Sequence, residues 1–139
     1  MFPAQAMMIP VFVQVTLTIF LFARVAAIRN SEIRADTSLL KTAAIDSTRY
    51  SQKAQQLANN YNSQFQAPVL FYAIVAFAML TASESFLLAA LGGLFVLTRI
   101  IHSTVHTGSN NVLHRFMSFA AGYLVLALMW FVFGFTYFL

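Results

Sequence analysis

Four long apolar runs, one long polar segment and two short polar breaks set the pattern of this chain. The first run, Met7–Ile28, follows a short uncharged lead, Met1–Ala6, and its main polar interruptions are Gln14, Thr16, Thr18 and Arg24. A hydrocarbon core is about 30 Å thick and a helix rises about 1.5 Å per residue, so the run is long enough to cross. Arg29–Ser63 is the one long polar segment. From about Ser47 its composition (QKAQQLA) favours helix, so the second helix is predicted to begin outside the membrane. That helix runs through Asn59, Asn60, Asn62, Gln64 and Gln66 to Pro68, where the missing N–H predicts a kink and a freed carbonyl at Gln64. Pro68–Leu80 then continues as the second span. Thr81–Ser85 is a turn, Phe86–Ile101 a third run that extends into a histidine-rich stretch, Thr107–Asn111 a polar break, and Leu113–Leu139 the fourth run. Gly92–Gly93 predicts a close helix contact, and Asn110 or Asn111 is the expected N-cap of the last helix. The fold predicted is all-α and integral to the membrane: a four-transmembrane-helix up-down bundle. It forms one domain over residues 1–139, with spans at about 7–28, 65–81, 86–103 and 113–138.

Composition agrees. The 139 residues are 60% hydrophobic and only 9% charged, against about 25% charged in a soluble domain. A cleaved signal peptide is the rival reading of the first run. It would place positive charge before the apolar stretch, whereas here Arg24 and Arg29 come at its end or after it. With no cysteine in the chain, disulfides, thiolate metal sites and a cysteine nucleophile are excluded. The net charge of +4 reads as topology rather than nucleic-acid binding. All eight Lys and Arg residues fall on the long polar segment, the 107–111 break or the helix ends beside them, and the positive-inside rule makes those loops cytoplasmic and both termini external.

Candidate chemistry concentrates in Thr98–Arg115 (TRIIHSTVHTGSNNVLHR), which holds two of the eight basic residues and all three histidines. Arg99, His102 and His106 share one helix face, and Arg115 falls in the first turn of the next helix. Ionisable groups between apolar runs are costly unless they line a cavity. Arg115 has two readings: an anion-holding group assisted by the helix N-terminus, or a side chain snorkelling to the headgroups. Arg24, inside the first apolar run, either faces a bundle interior or polar cavity or snorkels in the same way. His102 and His106, at i and i+4, have a known metal-ligand spacing, but no cysteine and no assured carboxylate accompanies them, so no metal is expected. A haem or metal binder is a third class, which an absorption spectrum would reveal. Asn59, Asn62 and Gln66 form a polar stripe that either faces a ligand or bonds between helices. A single bundle this small offers little room to bury Arg24, Arg99 and that stripe, which points to clefts shared between protomers.

Two stretches carry a family resemblance. NNYNSQFQAPVLFY (Asn59–Tyr72) and TRIIHSTVHTGSNNVLHRFMSFAAGY (Thr98–Tyr123) resemble segments of the membrane-associated proteins in eicosanoid and glutathione metabolism, the MAPEG family. That family includes microsomal glutathione transferases, leukotriene C synthase and microsomal prostaglandin E synthase. The chain resembles a bacterial-type member closest in kind to the microsomal glutathione transferases. The resemblance implies a homotrimer in the lipid bilayer, with glutathione as co-substrate bound between protomers near the cytoplasmic face and a lipophilic small molecule as second substrate. It implies Arg115 as the catalytic residue that holds the glutathione sulfur as thiolate. Arg24, Asn62, Gln64, Arg99, His102 and His106 are implied as the glutathione-binding set. The chain departs from the family pattern at His106, where better-known members have tyrosine, at Gln64 or Gln66, where they have an acid, and at Phe116, where some have serine. These departures keep a second reading open: a non-catalytic protein of the same fold, such as an accessory subunit of a larger membrane complex.

Overall fold

The computed structural model describes residues 2–43 and 45–139; Met1, part of the expected lead, and Ala44 lie outside the described residues. The chain is a helical bundle: α1 (Pro3–Ala35), the short α2 (Leu39–Thr42), α3 (Gln52–Asn62), α4 (Ala67–Leu80), α5 (Phe86–Thr107) and α6 (Val112–Phe138). Four runs are long and apolar enough to cross a membrane: α1, α3 with α4 over Gln52–Leu80, α5 and α6. The protein is therefore an all-α, multi-pass membrane protein. At about 1.5 Å per residue, the 33 residues of α1 span roughly 50 Å. That exceeds a hydrocarbon core by about 20 Å, so the helix that the apolar pattern ends at Ile28 carries on well beyond it.

α5 sits centrally, against α1 on one side and α6 on the other, and α4 packs on α6 and α1. The core is aromatic and aliphatic. Phe71 of α4 stacks on Phe95 of α5 with ring centroids 4.9 Å apart, beside Ile74, Leu88, Leu126 and Met129, all buried. The outward faces are apolar too, with Phe12, Ile19 and Phe20 on α1 and Leu124 and Phe131 on α6 exposed, as lipid contact requires. Hydroxyls on these faces bond back into their own helices: Thr16 Oγ1 donates to the Phe12 carbonyl at 2.8 Å, and Thr136 Oγ1 to that of Val132 at 2.9 Å. In the loop, Asp36 and Asp46 accept from Ser38 and Thr48, and those hydrogen bonds hold both carboxyls below the usual carboxylate range.

Pro68 breaks the second helix rather than kinking it. α3 ends at Asn62, a 3₁₀ turn covers Ser63–Phe65, and α4 restarts with Pro68 in its first turn. Proline there needs no N–H partner, and the break falls at Gln66, whose φ of -104 and ψ of -100 lie off helical geometry. The helix also begins later than Ser47: Ser51 is its N-cap, its Oγ accepting from the Ala54 N–H at 3.2 Å.

Only one of the paired glycines makes the expected close contact. A Cβ on Gly92 would lie 3.2 Å from both Phe71 Cε2 and Pro10 Cγ, two ring atoms of buried side chains on α4 and α1. A Cβ on Gly93 would meet nothing within 4 Å. Gly92→Ala is therefore expected to cost about 1–3 kcal/mol through overpacking. Gly93→Ala should leave stability level or raise it by up to about 1 kcal/mol through helix propensity. Unfolding midpoints of the two variants in one mild detergent check this; equal shifts would refute it.

Candidate functional site

At the end of the bundle that carries the long loop, α3 and its 3₁₀ turn face the C-terminal part of α5 and the start of α6. Between them lies a cleft of about 410 Å³, lined by polar groups on Asn59, Ser63, Gln66, His102, His106 and Arg115 and by apolar Val112, Phe116 and Phe119. Its size falls within the range of small-molecule sites, roughly 300–1,000 Å³.

Arg115 is placed by the turn before it. Gly108 closes α5, where a Cβ would stand 2.9 Å from the Thr104 carbonyl oxygen. Asn110 follows with φ 50, a left-handed backbone that asparagine tolerates, and its N–H donates to the Val105 carbonyl at 2.8 Å. From there its Oδ1 accepts from Arg115 Nη1 at 2.9 Å. The two asparagines thus have separate tasks, because Asn111 is the N-cap: its Oδ1 accepts from the N–H groups of Leu113 (3.0 Å) and His114 (3.2 Å). Those N–H groups are no longer free to face an anion, so positive charge at the cleft comes mainly from the guanidinium. On the other side, Lys53 Nζ donates to the Thr107 carbonyl and Gln56 Nε2 to that of His106, satisfying carbonyls that a helix end leaves open. The long-loop part of α3 is thereby fastened to the turn that aims Arg115.

His102 Nδ1 donates to the Arg115 carbonyl at 3.1 Å. A carbonyl can only accept, so Nδ1 carries the proton and Nε2 is the lone-pair nitrogen of this cleft-lining ring. The His102 and His106 rings meet edge-on, 5.7 Å between centroids. His114 is elsewhere: it lines a separate apolar groove with Ile101, Val105 and Met117. Among the described residues, no group of three or more His, Cys, Asp or Glu side chains is placed to hold a metal ion.

Beneath the cleft runs a buried polar network without a carboxylate. Gln14 Nε2 of α1 donates to Gln64 Oε1 at 3.0 Å, and Gln64 Nε2 to the Asn60 carbonyl at 3.0 Å. Ser103 Oγ donates to Asn60 Oδ1 at 3.1 Å. Arg99 Nη2 donates to the carbonyl and Oγ of Ser63 at 3.2 and 2.9 Å. Arg99 is 1% exposed, so a single bundle does bury this arginine, contrary to the expectation that only a shared cleft could. The 3₁₀ turn supplies the means, bringing a serine hydroxyl and a carbonyl to the guanidinium at one point.

The residues expected at the site therefore occupy three places. His102, His106 and Arg115 line the cleft together, with Asn59 and Gln66. Arg99 and Gln64 lie in the network under it, Arg99 separated from the cleft by Ser63. Arg24 and Asn62 line no part of it within one chain: Arg24 is half-buried on α1 with its guanidinium 5.8 Å from the Phe20 ring centre, and Asn62 is exposed. The sequence pattern did not single out Ser63, Ser103, Phe119, Lys53 or Gln56. Ser63 had a signal, standing three residues after Asn60 on the same face.

A multi-pass helical bundle with an arginine and two histidines lining a cleft at one end defines a class of membrane protein with a polar ligand site. Residues 7–135 match the profile of the MAPEG family, and the chain belongs to that family of membrane proteins of glutathione and eicosanoid metabolism. No curated protein and no solved structure gives a match.

Proposed function

We propose that the protein is a glutathione-dependent transferase or peroxidase-like enzyme of the microsomal glutathione transferase kind, acting on lipophilic electrophiles. The observation that carries this reading is the placement of Arg115: a fixed cation in a cleft lined by polar groups and by apolar Val112, Phe116 and Phe119. A free thiol titrates near 8.5 and reacts as thiolate. Arg115 lowers that pKa by favouring the anion, and the thiol proton leaves to solvent. The sulfur lone pair then forms the bond to an electrophile arriving along these apolar side chains, and the electrophile's leaving group or protonated oxygen departs. Asn59 and Gln66 hydrogen-bond the peptide, His102 adds binding from the α5 side, and Arg99 acts from beneath by positioning Ser63. In this reading the protomers form a homotrimer, in which Arg24 and Asn62 face the cleft of a neighbour. Titration calorimetry with glutathione in mild detergent, followed by ultraviolet absorbance of the thiolate, tests the reading; no heat and no thiolate at millimolar glutathione would sink it.

One observation favours the non-catalytic alternative. Gln64, one of the two positions at which the family pattern has an acid, is turned into the bundle against Gln14, and the other, Gln66, lines the cleft as an uncharged amide. A protein that bound no thiol but co-purified with a larger membrane complex would fit that reading.

Orientation belongs to the same proposal. With the basic loops cytoplasmic and both termini outside, reporter fusions at Leu139 and at Leu40 should give opposite signals. Matching signals would refute it.

A further inference from the structure

We infer that the cleft selects an anionic thiol that carries no free ammonium group, an inference that rests on the thiol-site reading above. Charge decides the selection. Arg115 lines the cleft, and Arg99 stands directly behind it, bonded to the cleft-lining Ser63. An arginine side chain supplies a fixed positive charge. No acid of the same chain lines the cleft. Glu32 is held by the N–H and hydroxyl of Ser51. Asp36 accepts from the Ser38 N–H. Asp46 accepts from Thr48 and pairs with Arg49 at 3.5 Å, the one ion pair among the described residues. Glu84 lies in the turn before α5, whereas the cleft is at the other end of that 22-residue helix, about 33 Å away. These are all four acids of the chain. A second copy at a shared cleft would bring the same four.

The uncharged groups on the cleft wall do not change the balance. Asn59, Gln66 and Ser63 can accept a hydrogen bond from an ammonium but offer no counter-charge. An ammonium bound here meets two like charges, whereas carboxylates and a thiolate meet two opposite ones. A like charge placed against one group discriminates between two ligands that make the same contacts otherwise. Glutathione carries one ammonium beside its two carboxylates. Its deamino form keeps both carboxylates, the thiol and the shape.

The test is titration of the full-length protein in mild detergent with glutathione and with deaminoglutathione. The deamino form is expected to bind about tenfold more tightly at low salt, as one charge contact in a partly solvated site would give. The margin should shrink as salt is raised. Gln66→Glu places a carboxylate on the exposed rim and should reverse the preference, with Asn59→Asp as a second carrier of the same change. Tighter binding of glutathione to the wild type would overturn the inference and leave the thiol site standing. A wild-type preference for the deamino form that both acidic variants leave untouched would overturn it as well, because cleft charge would then not be its cause. Binding of neither thiol would remove the thiol-site reading and this inference together.

Discussion

Arg115→Ala is expected to abolish the thiolate absorbance that glutathione gives with the wild type near neutral pH, and to lower conjugation about 10²–10³-fold, the usual effect of removing one preorganised charge partner. Folding should change little, since the recorded side-chain hydrogen bond of Arg115 is to Asn110 alone. Arg115→Lys should restore only part of the signal, because an ammonium keeps the charge but cannot hold Asn110 and a sulfur with one planar fork. The snorkelling reading makes the opposite forecast: lysine would serve fully, and alanine would disturb insertion before touching any thiol. Absorbance titrations of the three proteins separate the two. Full thiolate and full activity in well-folded Arg115→Ala would rule out the mechanism.

Asn110 carries the second large effect. It holds the guanidinium with a neutral oxygen, which leaves the whole positive charge for the ligand. Asn110→Asp keeps a residue that tolerates the left-handed backbone but sets a carboxylate against Arg115. The bound thiol should then lose its stabilising cation, and its pKa should rise by about one unit toward the free value. The sign is fixed by the chemistry: less positive charge at sulfur favours the protonated thiol, so the thiolate signal appears at higher pH. Asn110→Gly keeps the backbone and only frees the side chain, so it should weaken glutathione binding with a smaller pKa change. Thiolate absorbance followed from pH 6 to 9 reads both. An unmoved profile in Asn110→Asp would show that Asn110 does not set the charge at the site.

Much of the bundle was legible in the sequence because a membrane imposes its own arithmetic: an apolar run about as long as the hydrocarbon core becomes a helix. Where two physical rules competed, the pattern alone could not decide. Pro68 foretells an interruption, but whether it kinks or breaks the helix depended on the hydrogen bonds open to Ser63 and Gln64. Gly92 and Gly93 are indistinguishable in sequence and differ only by the neighbour each helix face meets. At the site, the α5 face of Arg99, His102 and His106 followed from helical spacing. Which of those side chains reaches the cleft did not, because the depth of Arg99 depends on Ser63, thirty-six residues away along the chain. The tie from Lys53 and Gln56 to the end of α5 was likewise hidden, since a long side chain reaching a backbone carbonyl leaves no periodic trace.

The polar network also bears on the order in which the chain is made. Synthesis proceeds from the N-terminus, so α1 and the α3–α4 segment are complete before α5 emerges. The bond between Gln14 and Gln64 needs only those two segments, and it gives the first hairpin its own polar fastening within the bilayer. Arg99 arrives later with a charge that lipid tolerates poorly. By then Ser63 is already in place to receive it. α6, made after α5, brings the Arg115 carbonyl that fixes the His102 ring. The cleft is thus finished only once α6 is made, and a chain stopped before α6 would hold its buried arginine without yet having a site.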